Sequence, residues 1–114
     1  MSADLVEYTL RGRVAVIRFA NPPVNSLGLG LRRALAAALE RMSEDAAIDA
    51  AVLVGANGTF SGGADIKEFG APEAFMGPSL WSLNSMLDES TKPVVAAIEG
   101  VALGGGFELA LSCH

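Results

Sequence analysis

Apolar and polar positions alternate along residues 5–10, with Val6, Tyr8 and Leu10 on one side and Glu7 and Thr9 on the other; residues 14–19 form a second β-rich run. Arg11-Gly12-Arg13 between them predicts a hairpin turn. The alternation then stops at Asn21-Pro22-Pro23-Val24-Asn25-Ser26, where two prolines remove donors and restrict the residues before them. From residue 29 to 44 the period changes. Leu31, Leu35, Ala38, Leu39 and Met42 recur at helical spacing, while Arg32, Arg33, Glu40 and Arg41 fall elsewhere on the cylinder, which predicts an amphipathic helix.

Residues 50–55 (Ala-Ala-Val-Leu-Val-Gly) and 94–98 are unbroken apolar runs of strand length, the pattern of strands buried on both faces. Leu80, Leu83, Met86 and Leu87 give the stretch 72–90 a helix-like pattern after a break at Gly77-Pro78. Such runs alternating with helical stretches imply βαβ units and an α/β fold in one domain. The two buried runs are expected to be neighbouring parallel strands whose carboxyl ends present the following loops to one cleft.

Composition narrows the picture. At 114 residues and 51% hydrophobic content the chain is apolar for its size, so part of its surface is expected to meet a partner. Leu111-Ser112-Cys113-His114 continues a helix begun near Gly106 with no cap after it, which reads as a truncated domain. The net charge of −5, with eight dispersed basic residues, disfavours a nucleic-acid or anionic-membrane surface. The single cysteine, Cys113, cannot pair within the chain, fits a reducing compartment and reads as a small buried hydrophobe. Met1-Ser2-Ala3-Asp4 has neither the basic nor the apolar region of a leader, and no apolar run approaches the roughly 18 residues that cross a bilayer. A soluble protein of the cytoplasm is expected, with a reducing organelle such as the peroxisome or the mitochondrial matrix as the alternative.

Two glycine-rich turns carry the candidate chemistry: Phe60-Ser61-Gly62-Gly63-Ala64-Asp65, and Gly100 to Gly106 followed by Phe107-Glu108. Each follows a β-like run and is expected to open a helix, leaving backbone N–H groups free to grip an anion, with the Glu108 carboxylate close behind the second. No phosphate-binding Gly-x-x-x-x-Gly-Lys pattern occurs, and Gly28-Leu29-Gly30 meets Arg33 where a dinucleotide fingerprint needs glycine. Close packing of a helix on a strand is the plainer reading of Gly104 to Gly106 taken alone.

The run 59–69 (Thr-Phe-Ser-Gly-Gly-Ala-Asp-Ile-Lys-Glu-Phe), the run 92–100 (Lys-Pro-Val-Val-Ala-Ala-Ile-Glu-Gly) and the run 102–110 (Ala-Leu-Gly-Gly-Gly-Phe-Glu-Leu-Ala) together resemble the enoyl-CoA hydratase/isomerase, or crotonase, superfamily. The loop at 21–27 also matches, and the ending at 104–114 is most similar to the hydratase part of multifunctional β-oxidation enzymes. The likeness covers all of the chain but about the first half of a typical family domain. It implies a crotonase-like spiral of ββα units lacking its C-terminal helices, with residues 1–114 as its N-terminal part.

By motif position the resemblance implies an oxyanion hole from the backbone N–H groups of Ala64 and Gly105. It implies a CoA and substrate surface at Gly62, Ala64, Asp65, Ile66, Lys67, Gly104 and Gly105, and a catalytic carboxylate at Glu108. The substrate it implies is an acyl-CoA thioester, with no metal and no separate cofactor. A second glutamate lies about twenty residues further on in the family, beyond residue 114, so the chain alone is expected to be catalytically incomplete and to associate with itself or with a C-terminal half. Glu108 favours reversible hydration of trans-2-enoyl-CoA over pure Δ3,Δ2-isomerisation; a bifunctional hydratase/isomerase and a non-catalytic acyl-CoA-binding fragment stay open. Asp65 reads as a helix cap, Lys67 as either a CoA neighbour or a solvated lysine. Phe75 and Trp81 read as core residues, with the acyl tunnel as the alternative.

Overall fold

A computed structural model describes residues 5–114; the reading of Met1-Ser2-Ala3-Asp4 lies outside the described residues. Strands β1 (Val6–Arg11) and β2 (Val14–Phe19) form the expected hairpin, turning at Gly12 with φ 59°, which a side chain would strain. Helix α1 (Leu29–Glu44) carries the chain to β3 (Ala50–Gly55), parallel to β2. Two short 3-10 turns (Ile66–Glu68 and Pro72–Phe75) and helix α2 (Leu80–Asp88) lead to β4 (Val94–Ala97), parallel to β3 with Val52 opposite Val95. Helix α3 (Gly105–Leu111) follows. The sheet runs β1-β2-β3-β4, so the α/β arrangement and the parallel pairing of the two apolar runs are as the sequence predicts.

The core explains the periodicities. Ala15, Ile17 and Phe19 of β2 and Ala51 and Leu53 of β3 join Leu31, Leu35, Ala38, Leu39 and Met42 of α1 in one buried cluster, closed by Leu83, Leu87 and Leu109. Phe19 and Phe60 meet edge to face with ring centroids 5.2 Å apart. At the far end of α1 the Lys92 ammonium donates to the carbonyls of Met42 and Asp45 at 2.8 and 2.7 Å, a second donor to acceptors that also take the Asp45 and Ile48 N–H groups.

Four expectations need correction. The sheet is sealed on one face: in β3 only Ala51, Leu53 and Gly55 are buried, and Val95 of β4 is 51% exposed, because the helices gather on the other side. Phe75 and Trp81 are not core residues but 89% and 79% exposed. The first glycine turn opens a single 3-10 turn rather than an α-helix, since only Ile66–Glu68 is helical before the chain turns again. Arg32 is not solvated but 6% exposed, drawn inward by carbonyls described below.

Candidate active site

The site is organised by the proline-rich loop at 21–27. Asn25 is fully buried with φ 54°, a left-handed conformation that asparagine tolerates, and its amide donates to the carbonyls of Ala56, Thr59 and Phe60 at 3.1, 3.0 and 3.2 Å. Ser61 Oγ donates to the Asn25 carbonyl at 2.8 Å and accepts the Gly63 N–H at 3.1 Å. Gly62 N–H donates to Val24 O at 2.7 Å, and Leu27 N–H to Gly63 O at 2.8 Å. The first glycine turn is therefore strapped by backbone and by two buried polar side chains.

The second turn is sewn to the first. Phe60 and Ser61 both donate to Val101 O, Leu103 N–H donates to Ser61 O at 3.0 Å, and Ser61 bridges Ala102 in parallel fashion. Gly106 lies so close that a Cβ there would fall 2.5 Å from the Ser61 carbonyl oxygen. Gly63, at φ 109°, adopts a conformation that a side chain would strain, and a Cβ there would lie 3.0 Å from the Leu103 carbonyl oxygen.

This sewing brings together the amides of Ala64 and Gly105. A Cβ built on Gly105 would be 3.7 Å from Ala64 N, which with the fixed geometry at Cα puts the two nitrogens no more than about 6 Å apart. Among the described residues neither N–H has a hydrogen-bond acceptor. The walls beside them are apolar: Leu80 Cδ2 and Leu27 Cδ1 lie 2.6 and 3.7 Å from the same Cβ position.

Three spaces meet here. A cleft lined by Pro22, Pro23, Gly62, Ala64, Asp65, Ile66 and Lys67 runs along the outside of the first turn, with Ile66 74% exposed. Ala64 also borders a half-open pocket of 140 Å³ whose other walls include Leu27, Phe69, Ala74 and Leu80. Leu80 in turn borders a groove lined by Trp81, Asn84, Glu108, Leu111 and Ser112. Glu108 is exposed, three residues along α3 from Gly105 and hence on the same side of that helix. Gly104, at φ 51°, is the residue from which α3 starts. Asp65 Oδ1 accepts the Lys67 N–H at 3.0 Å, the capping role expected of it, though over a 3-10 turn.

Several residues that shape the site escape a reading by pattern. Asn25 and Ser61 were legible only as loop residues; the cue for Asn25 was an asparagine beside prolines, where a left-handed residue is common. Arg32 carries no cue, because a charge on an amphipathic helix normally faces water. Asn84 sits within the apolar pattern of α2, yet its Oδ1 is buried and has no partner among the described residues. Cys113 is half-buried and burial pushes its thiol up to about 11. His114, given no role from sequence, pairs with β4: its N–H donates to Val94 O at 2.8 Å and its Nδ1 accepts the Val94 N–H at 3.1 Å. Among the described residues no three His, Cys, Asp or Glu side chains cluster as a metal site would require, and no helix is long and apolar enough to cross a membrane.

Comparison with known proteins agrees with the fold and the motifs. The sequence profile described as enoyl-CoA hydratase/isomerase matches residues 9–114. The peroxisomal bifunctional enzyme of Danio rerio is 54% identical over 101 residues, covering 89% of this chain and 14% of that protein. Its Homo sapiens counterpart is 47% identical over 111 residues, 96% of this chain and 15% of that protein. The crystal structure of a probable enoyl-CoA hydratase/isomerase from Mycobacterium abscessus superposes with a TM-score of 0.85 at 36% identity, over 97% of this chain and 44% of that one. The chain thus spans about one-seventh of the length of these curated relatives, and it belongs to the enoyl-CoA hydratase/isomerase family.

Proposed function

We propose that this member of the enoyl-CoA hydratase/isomerase family supplies the thioester-binding half of an enoyl-CoA hydratase site, acting in the reversible addition of water to trans-2-enoyl-CoA to give 3-hydroxyacyl-CoA in fatty-acid β-oxidation. The observation that carries this reading is the approach of two unpartnered amides, from Ala64 and Gly105, with Glu108 one turn further along the same helix. An oxygen held between the amides takes two hydrogen bonds that strengthen as negative charge develops on it, and one such donor typically accounts for about a hundredfold or more in rate.

In this reading Ala64 N–H and Gly105 N–H bind the thioester carbonyl. The water oxygen bonds to C3, the C2=C3 electron pair moves into the thioester to form the enolate, and the water's proton passes to Glu108. The enolate collapses as C2 takes a proton from a second acid, which the family resemblance puts about twenty residues beyond Glu108. Gly62, Asp65, Ile66 and Lys67 line the cleft outside the Ala64 amide and suit the CoA arm, while Gly104 sets the turn that aims Gly105. The names of the relatives favour a peroxisome-like compartment over the cytoplasm.

The test is hydration of crotonyl-CoA by the protein carrying this chain, followed by loss of the enoyl thioester absorbance. Glu108→Gln keeps size while removing the base and is expected to lower turnover at least about a hundredfold with little change in KM. A variant keeping more than about a third of wild-type turnover would show that Glu108 is structural. Acyl-CoA binding without any turnover in the wild type would favour a binding module instead.

A further inference from the structure

The Ala64 N–H is one end of the planar peptide that joins Gly63 to Ala64. The other end, the Gly63 carbonyl, points the opposite way and accepts the Leu27 N–H at 2.8 Å. The aim of the amide therefore depends on how firmly residues 27–29, at the entry to α1, hold the chain on either side of Ala64.

Beyond Ala64 the chain has little else to hold it. Ala64, Ile66, Lys67, Phe69 and Gly70 are exposed. The backbone N–H groups of Lys67, Glu68 and Phe69 make local bonds, to Asp65 and Ile66. Among the described residues, the hydrogen bonds from residues 64–70 to other elements all pass through the Glu68 carboxylate. Its Oε2 accepts the Leu29 N–H at 2.8 Å, and its Oε1 accepts Arg32 Nη1, which also donates to the Leu27 carbonyl. Gly28 brings no side chain to cap α1, and a Cβ there would lie 2.9 Å from both Asp65 Oδ2 and Glu68 Oε2. Glu68 is thus the cap that α1 lacks, supplied from the far side of Ala64. Leu27 grips the chain just before the amide and Leu29 grips it just after.

We propose that Glu68 is a positioning residue for the oxyanion hole. By closing residues 63–68 onto residues 27–29, its carboxylate fixes the direction of the Ala64 N–H and so sets how strongly the site holds a thioester carbonyl. It acts through the backbone and makes no bond to that carbonyl. The proposal rests on the reading of the Ala64 and Gly105 amides given above.

The test isolates the carbonyl. Butyryl-CoA and S-butyl-CoA differ in having C=O or CH2 beside the sulfur, and neither has a double bond to hydrate. Their affinities are measured by calorimetric titration on the protein carrying this chain and on its Glu68→Ala and Glu68→Gln variants, with a thermal melt of each. The wild type is expected to prefer butyryl-CoA about tenfold or more, the worth of two ordinary hydrogen bonds. Glu68→Ala is expected to cut the preference to about threefold or less while S-butyl-CoA affinity stays within about threefold. Glu68→Gln, with one acceptor oxygen for two donors, is expected to fall between them. An unchanged preference in both variants, or an equal loss of both ligands, would overturn the role of Glu68 and leave the hydratase reading standing. Unfolding of both variants would also overturn it, since the carboxylate would then support the fold rather than the amide. No preference in the wild type would overturn the oxyanion hole itself.

Discussion

Arg32 and Glu68 meet at 3.1 Å, Nη1 to Oε1, with side chains only 7% and 16% exposed. The same guanidinium donates to the carbonyls of Leu27, Glu73, Met76 and Pro78 at 2.8, 2.9, 3.2 and 2.9 Å, and Glu68 Oε2 accepts the Leu29 N–H at 2.8 Å. The first turn of α1 is in this way pinned to the segment that walls the pocket between Ala64 and Leu80. Arginine suits the task because its planar fork serves several acceptors at once, which a lysine ammonium cannot reproduce.

Arg32→Met is therefore expected to destabilise the fold by about 2–4 kcal/mol, since it removes the cation from a half-buried carboxylate and leaves several carbonyls without their donor. Urea unfolding followed by circular dichroism measures this. A loss below about 1 kcal/mol would mean that water replaces the guanidinium without penalty.

Neighbouring glycines of the second turn are expected to respond differently. Gly105→Ala meets only the flexible end of Leu80, gains helix propensity and should keep its stability within about 1 kcal/mol, yet its methyl intrudes beside the two amides and should weaken acyl-CoA binding about tenfold or more. Gly106→Ala drives a methyl against the Ser61 backbone and should cost about 1–3 kcal/mol or more. Thermal melts and thioester titrations on both variants distinguish the two; equal behaviour would refute the assignment of separate roles.

Cys113 makes a pH prediction. Burial raises its thiol from the usual 9.0 to about 11, so the folded chain favours the neutral thiol. That preference is fully present below pH 9.0 and is lost as the pH rises towards about 11, because the unfolded chain ionises first. Alkylation at pH 8 should accordingly be slow in the native chain and fast in urea, with the native rate climbing as the pH approaches the higher value. Equal rates in both states at pH 8 would contradict it.

Val95 at the open edge of the sheet is 51% exposed, and Ile98, Leu103 and Phe107 nearby in sequence are 51%, 57% and 52% exposed. Apolar surface of this extent promotes association. The purified chain is expected to sediment as more than a monomer, and Val95→Thr with Phe107→Ser to shift it towards one. A monodisperse wild-type monomer would rule this out.

Much of the frame was legible in the sequence because it rests on periodic burial: α1 follows from Leu31, Leu35, Ala38, Leu39 and Met42, and the parallel pairing of β3 with β4 from two apolar runs. The meeting of the two glycine turns followed from strand direction. What pattern could not give was the destination of single polar groups. Arg32 reads as solvated until the carbonyls of 73–78 are seen to converge on it. Phe75 and Trp81 fail in the opposite sense, since hydrophobicity alone does not say whether a residue is covered by its own chain.

The straps from Val24 and Asn25 to the first glycine turn, and from Ser61 to the second, join segments near residues 25, 61 and 103. Contacts so distant along the chain carry a loop-closure cost that the local helix and hairpin do not. The Ala64 and Gly105 amides are brought together by these straps, so a ligand held between them would tie all three segments together. Affinity for such a ligand would then gauge how completely the straps have closed, a quantity distinct from the stability of the sheet.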